Sequence, residues 1–90
     1  MGITAVKIKI MPSSPEVNIK ELKQQIKSVI EKKGGKNCSV DEQPVAFGLK
    51  AIIAFFAWPE EKEFESVEQM IQKIEDVSSV QIIDMRRAFG

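Results

Sequence analysis

The stretch EQPVAFGLK, residues 42–50, predicts the bend of a β-hairpin that joins a polar strand to an apolar one. Pro44 lacks a backbone donor and suits the end of an edge strand, whereas Gly48 permits backbone angles that other residues resist. Phe47 lies between two small residues, so its ring either folds back onto the core or projects from the bend. Residue type alone favours the core, because phenylalanine is among the residues most often buried. A projecting ring would instead anchor the protein in a partner's pocket.

The residues before the bend predict a strand, a helix and a second strand. Apolar and polar side chains alternate over residues 3–10, which is the pattern of a half-buried strand, and two prolines within residues 11–15 end it. Apolar residues then recur at helical spacing between Asn18, a capping residue, and Gly34, a helix stop. Residues 37–43 are mostly polar and predict an edge strand.

The residues after the bend predict a central strand, a second helix and a last strand. Residues 49–58 are apolar at nearly every position, which favours a strand at the centre of the sheet. An apolar stripe over residues 64–77 predicts the second helix, and residues 78–79 predict a short turn. Residues 80–85 form the expected last strand, and residues 86–90 the expected tail.

The resulting order is βαββαβ, two split βαβ units in one chain. Right-handed crossovers place both helices on one face of a four-stranded antiparallel sheet. We therefore expect an α+β fold, a ferredoxin-like sandwich, with the first and third strands at the centre and the second and fourth at the edges.

The net charge, the absence of histidine, the single cysteine and the short apolar runs argue against several classes of function. The chain has 90 residues, with 13 Lys plus Arg and 13 Asp plus Glu, so no net charge attracts nucleic acid and we expect no direct nucleic-acid partner. Histidine is absent and Cys38 is the single cysteine, so we expect no internal disulfide, no metal and no cofactor. The longest apolar run, residues 51–58, is too short to cross a bilayer, so we expect a cytoplasmic protein without a membrane partner.

No constellation of residues predicts covalent catalysis. Asp84 is expected near the end of a strand, and the neighbours of Cys38 offer no base that would activate its thiol. A small RNA-binding or ligand-binding ferredoxin-like module is an alternative, although the aromatic RNA-recognition pattern is absent. An acylphosphatase-like enzyme would need a phosphate loop where residues 12–15 read PSSP. Without a resemblance to a known family, the residues predict a small α+β interaction domain.

Three segments resemble one known family: PVAFGLK at residues 44–50, IKIMP at residues 8–12, and residues 77–87, which begin VSSV and end DMRR. They resemble archaeal elongation factor 1-beta, and the resemblance covers the whole chain. That family is the guanine nucleotide exchange domain that reloads the translational GTPase elongation factor 1-alpha, and its fold is the ferredoxin-like sandwich. The resemblance implies a single exchange domain at residues 1–90, which promotes GDP release and GTP reloading without covalent chemistry.

The resemblance also implies a partner-binding site. Phe47 matches the aromatic of the family's hairpin, which enters a pocket on the GTPase, so the resemblance favours a projecting ring. Eukaryotic members use a lysine near the C-terminus at the magnesium and phosphate region of the GTPase, but no lysine follows Lys73 here. Two arginines at the end of the last strand are the candidates to replace it. The implied partner-binding residues are Pro44, Phe47, Gly48, Lys50, Arg86 and Arg87.

Overall fold

The computed structural model describes the backbone of residues 2–89 and the side chains of residues 2–87. In chain order the elements are β1 (Ile3–Pro12), α1 (Ile19–Lys33), β2 (Lys36–Pro44), a short 3₁₀ turn (Ala46–Gly48), β3 (Lys50–Pro59), α2 (Glu65–Gln72) and β4 (Val77–Phe89). The strands form one antiparallel sheet in the order β2-β3-β1-β4. This arrangement confirms the predicted ferredoxin-like α+β sandwich, with β1 and β3 at the centre and β2 and β4 at the edges.

The core lies on one face of the sheet, beneath both helices. Alternate residues of β1 and β3 point to this face, as their pairing shows: Val6 lies opposite Phe56, and Ile8 lies opposite Ala54. The fully buried side chains that pack together are Val6, Ile8, Ile10, Leu22, Ile26, Ile30, Ile52, Ala54, Phe56, Val67 and Ile71. Because members of α1 and α2 belong to this single cluster, the helices cover the same face. In the part of the chain that the structure describes, no helix covers the other face of the sheet.

The predicted limits of α1 are confirmed by its caps. The Asn18 side chain accepts a hydrogen bond from the Glu21 backbone N–H at 3.2 Å. Gly34 ends the helix in the left-handed region, with φ of 115°. The Lys62 ammonium donates to the Lys33 carbonyl at 3.0 Å, which satisfies one of the unpaired carbonyls of the last turn. Neither described helix combines the length and the apolar character that a membrane span requires.

The start of β4 differs from the prediction. The apolar spacing places Val77 in the second helix and a turn at residues 78–79, but α2 ends at Gln72 and β4 begins at Val77. The strand starts early because β1 continues through Pro12, past its predicted end, and Val77 pairs with Pro12. This pairing joins residues far apart in the chain, so local periodicity does not reveal it.

The end of β4 is also longer than predicted. Residues 86–89 belong to the strand instead of the expected tail, and Gly90 lies outside the described residues. Asp84 is correspondingly inside the strand, opposite Lys7 of β1, and not at a strand end or turn. The register shifts between Lys7 and Ile8 leave Ile83 as an extra residue, which is a β-bulge.

Candidate functional site

A tight turn closes the hairpin between β2 and β3. The Val45 N–H donates to the Leu49 carbonyl at 2.9 Å, and the Leu49 N–H donates back to the Ala46 carbonyl at 3.3 Å. Between them, Phe47 has φ of 63° and ψ of 29°, and Gly48 has φ of 74°. Two successive residues with positive φ are the signature of a type I′ turn, whose twist matches that of the strands it connects.

Phe47 projects from this turn. Its side chain is 92% exposed, the largest exposure among the large apolar residues of the described chain. The expectation of burial from residue type is therefore wrong, because the left-handed conformation places the ring beyond the end of the sheet. For a residue with a Cβ, that conformation costs about 1–2 kcal/mol. Exposure and strain both lower stability, so neither is explained by folding alone.

The neighbours of Phe47 define a compact surface, which we call the Phe47 turn: residues 44–50. Pro44 and Lys50 are paired across the base of the hairpin and both are exposed. A Cβ added to Gly48 would meet no atom within 4 Å, so space does not require glycine there. Its positive φ favours glycine, because side chains disfavour the left-handed region. The structure thus brings together four of the six residues named from the resemblance.

The other two named residues lie at the end of β4, in regular strand. Arg86 Nε donates to Asp84 Oδ1 at 3.1 Å, and Arg87 Nε lies 3.1 Å from Glu60 Oε1. The arginine side chains are 80% and 65% exposed. Adjacent strand residues point to opposite faces, so the two guanidinium groups diverge. Each arginine already has a carboxylate partner, and exposed pairs of this kind add little to stability.

The Phe47 turn and the arginines lie at opposite ends of the sheet. Arg87 is opposite Thr4 of β1, whereas the hairpin base lies level with the far end of β1, near Pro12. Eight residues of strand at about 3.3 Å each separate these positions by roughly 25 Å. The longest dimension of the molecule is 41 Å. This separation is too large for one small ligand to contact both regions at once.

An apolar patch that the sequence did not predict lies beside the arginines. Ile82, Ile83 and Met85 of β4 are 39%, 43% and 46% exposed. Their exposure follows from the edge position of β4 and from the bulge at Ile83, and a bulge has no local sequence signal. Methionine and arginine are enriched at protein interfaces, so this end of β4 also has the composition of a contact surface.

The uncovered face of the sheet does not have the features of an RNA-binding surface. Phe55 points to this face and is 46% exposed, with Lys7 opposite it on β1 and Ser39 on β2. Phe56 and Trp58 are buried on the helix face, where they pack with Phe64. One exposed ring does not provide the pair of stacking aromatics that RNA-recognition sheets use. Within residues 2–89, no cluster of acidic or cysteine side chains has the arrangement of a metal site.

Comparison with known proteins identifies the family. A model of the EF-1 guanine nucleotide exchange domain matches residues 5–88. Elongation factor 1-beta of Methanosarcina acetivorans is 42% identical over 97% of this chain and 99% of its own length. The proteins of the same name from Methanocaldococcus jannaschii and Methanothermobacter thermautotrophicus are 39% and 36% identical, over 98% and 97% of this chain and 100% and 98% of theirs. The resemblance seen in the hairpin is thereby confirmed, and the chain belongs to the EF-1 guanine nucleotide exchange domain family.

Proposed function

We propose that this exchange domain, residues 1–90, binds elongation factor 1-alpha through the Phe47 turn. As a member of its family, the chain is a guanine nucleotide exchange factor in translation elongation, promoting GDP release and GTP reloading of that GTPase. The proposal concerns how it does so. Its partner-binding residues are Pro44, Phe47, Gly48 and Lys50 at the turn, together with Arg86 and Arg87.

The observation that carries the proposal is the strained, exposed Phe47. A ring that is 92% exposed gains almost nothing from burial in the free protein. On entering an apolar pocket, a phenylalanine side chain contributes about 1.5–3 kcal/mol. The turn also holds the ring in one backbone conformation, so little backbone freedom is lost on binding. A pre-oriented aromatic on a rigid hairpin is the form of an interface anchor.

Exchange follows from differential binding. A factor that binds the nucleotide-free GTPase more tightly than the GDP-bound form lowers the affinity for GDP by the same ratio. Each tenfold preference corresponds to about 1.4 kcal/mol. Burial of the Phe47 ring would supply one to two such factors if the pocket opens fully only in the nucleotide-free form. No residue of this chain needs to react, so the mechanism involves no covalent step.

The arginines are proposed as a second contact on the same GTPase. Arg86 and Arg87 are separated from the Phe47 turn by roughly 25 Å, a span that suits one large partner surface. Guanidinium groups bind carboxylate or phosphate groups through paired hydrogen bonds. To do so here, they would exchange Asp84 and Glu60 for acidic or phosphate groups of the GTPase. We propose no direct contact with nucleic acid or membrane, and a cytoplasmic site of action.

Release of a fluorescent GDP analogue from an archaeal elongation factor 1-alpha tests the proposal. The assay compares the unsubstituted chain with Phe47→Ala, and uses Phe55→Ala as the matched control because that ring is also exposed but lies on the uncovered face. We expect Phe47→Ala to slow catalysed release about 30-fold or more, the size of an interface hot spot, and Phe55→Ala to change it little. Equal rates for Phe47→Ala and the unsubstituted chain would contradict the anchor. If the unsubstituted chain fails to speed release at all, the exchange function itself fails and RNA binding is the next test.

A further inference from the structure

A groove between α1 and β2 carries a row of lysines that the exchange mechanism does not use. We call it the α1–β2 groove, and its volume is about 570 Å³. Its lining residues are Lys20, Lys23, Gln24, Lys27, Cys38, Ser39 and Val40. The three lysines recur at helical spacing, so they line one face of α1 directly above the edge of the sheet.

The floor of the groove is an open strand edge. Within residues 2–89, β2 has a neighbouring strand on one side only, β3. Its pairing with β3 is irregular between Lys36 and Ser39 but regular from Ser39 to Pro44. Such an edge presents unpaired backbone N–H and C=O groups that match those of another extended chain. A helix beside an open edge is the arrangement in which domains bind peptides by adding a strand.

The charges in the groove suit carboxylates. Lys23 Nζ lies 3.7 Å from Glu42 Oε2, so a groove lysine already contacts a carboxylate of β2. Burial raises the pKa of the Cys38 thiol, Glu31 raises it further, and Lys27 lowers it. The thiol is therefore neutral at pH 7 and does not repel an anion. Glu42 offsets part of the charge of Lys23, so an incoming carboxylate competes with Glu42 there. Glu31 lies one helical turn beyond Lys27.

The distance between Lys23 and Lys27 along α1 is close to the distance between alternate side chains of an extended chain. Lys23 and Lys27 are four residues apart, which is about 6 Å along a helix. Side chains on one face of a strand are two residues apart, which is about 6.8 Å. Carboxylates at alternate positions of a strand beside β2 therefore lie level with these two lysines.

We propose that the α1–β2 groove binds an acidic, extended segment of another protein, which adds as a strand beside β2 and directs alternate carboxylates to Lys23 and Lys27. A protein segment is favoured over RNA because only a peptide backbone pairs with a strand edge, and because the chain as a whole has no net positive charge.

A labelled peptide tests the inference without the GTPase, so the result is independent of the exchange function. The probe is an eight-residue fluorescein-labelled peptide that alternates glutamate with threonine, and its control has glutamine at each glutamate. Fluorescence anisotropy measures binding to the unsubstituted chain, to K23E/K27E, and to K32E/K73E. The last variant makes the same charge change at exposed positions outside the groove.

The expected result is binding of the glutamate peptide that weakens about tenfold or more in K23E/K27E, since each exposed ion pair contributes about two- to fivefold and reversal adds repulsion. K32E/K73E should bind within about threefold of the unsubstituted chain, and the glutamine peptide should bind at least tenfold more weakly. Amide hydrogen exchange at residues 39–43 should slow when the glutamate peptide is added.

Three results would overturn the inference. The first is no measurable binding of the glutamate peptide to the unsubstituted chain. The second is binding that leaves the β2 amides unprotected, because a purely electrostatic contact adds no strand. The third is tighter binding of an eight-nucleotide uridine RNA at the same salt concentration, with K23E/K27E removing it, which would assign the groove to nucleic acid.

Discussion

The two ends of the sheet differ in whether their exposed side chains have partners within the protein. At one end the Phe47 turn exposes a large ring in a strained backbone conformation, with no cover from the described chain. At the other end Arg86 and Arg87 lie in regular strand, each paired with a carboxylate. The arginine charges are paired within the chain, whereas the exposed ring and the strained backbone of the Phe47 turn have no compensating contact in the described chain. A feature that lowers stability without an internal gain is the better indicator of a partner.

This difference also predicts that the two proposed contacts contribute unequally to binding affinity. Docking the Phe47 ring removes apolar surface from water, and nothing in the free protein has to be broken first. Docking either arginine exchanges one exposed ion pair for another, so the net gain is small. The turn should therefore dominate affinity, and the arginines should act through charge and salt dependence.

The largest expected effect comes from Phe47→Asn, which separates function from stability. Asparagine adopts the left-handed region more readily than phenylalanine, so the free energy of unfolding should rise by about 1 kcal/mol. Nucleotide exchange should fall about 30-fold or more because the anchor is lost. Urea denaturation and release of a fluorescent GDP analogue measure the two quantities. Loss of stability together with loss of exchange would show that the ring supports the fold, so that its exposure would not indicate a partner.

The double reversal R86E/R87E should have the next largest effect. At low salt we expect exchange to slow about tenfold, and at 0.3 M salt the difference should shrink because exposed charges are screened. The measurement is the exchange rate at both salt concentrations. K32E/K73E is the matched control, because it changes the net charge equally at exposed positions in the last turn of α1 and directly after α2. Unaltered exchange in R86E/R87E would remove the arginines from the site and leave the turn alone.

Gly48→Ala should act on stability more than on exchange. The added methyl group meets no atom, but the positive φ costs about 1 kcal/mol of unfolding free energy. Exchange by the folded variant should stay within about threefold, because Phe47 keeps its place in the hairpin. Urea denaturation checks the first value and the GDP-release assay checks the second. A stability equal to that of the unsubstituted chain would mean that the turn relaxes to another conformation.

The smallest expected effect is that of Glu42→Gln, near the base of the hairpin. The Lys23–Glu42 pair is long and partly exposed to solvent, so its loss should lower the unfolding free energy by about 0.5 kcal/mol or less. Exchange should be unchanged. A decrease above 1 kcal/mol, measured by urea denaturation, would show that this pair fixes the hairpin against α1.

The fold was predictable because local signals agree with the tertiary structure. The alternation of residues 3–10, the cap at Asn18 and the glycine stop at Gly34 each correspond to an observed element. The limits of β4 were not predictable, because Val77 fits the helical stripe as well as it fits a strand. Its pairing with Pro12 decides between the two, and that partner lies on a distant strand.

The site was predictable only in part. The turn residues follow from proline and glycine chemistry, but the direction of the Phe47 ring does not follow from residue type, which favours burial. Only the resemblance to known exchange domains favoured projection. The apolar patch at Ile82 and Met85 was missed because its exposure depends on the strand bulge and the edge position. Which of the named residues contact the GTPase stays a prediction.

Trp58 gives the molecule a built-in optical reporter. It is the single tryptophan of the chain, it is 3% exposed, and its indole N–H donates to the Lys62 carbonyl at 3.0 Å. It lies at the end of β3 far from the Phe47 turn. Its emission maximum should therefore shift to the red on unfolding, while substitutions at the Phe47 turn should leave the folded-state spectrum unchanged. Every variant proposed above can be checked for folding from its emission spectrum, without an attached label.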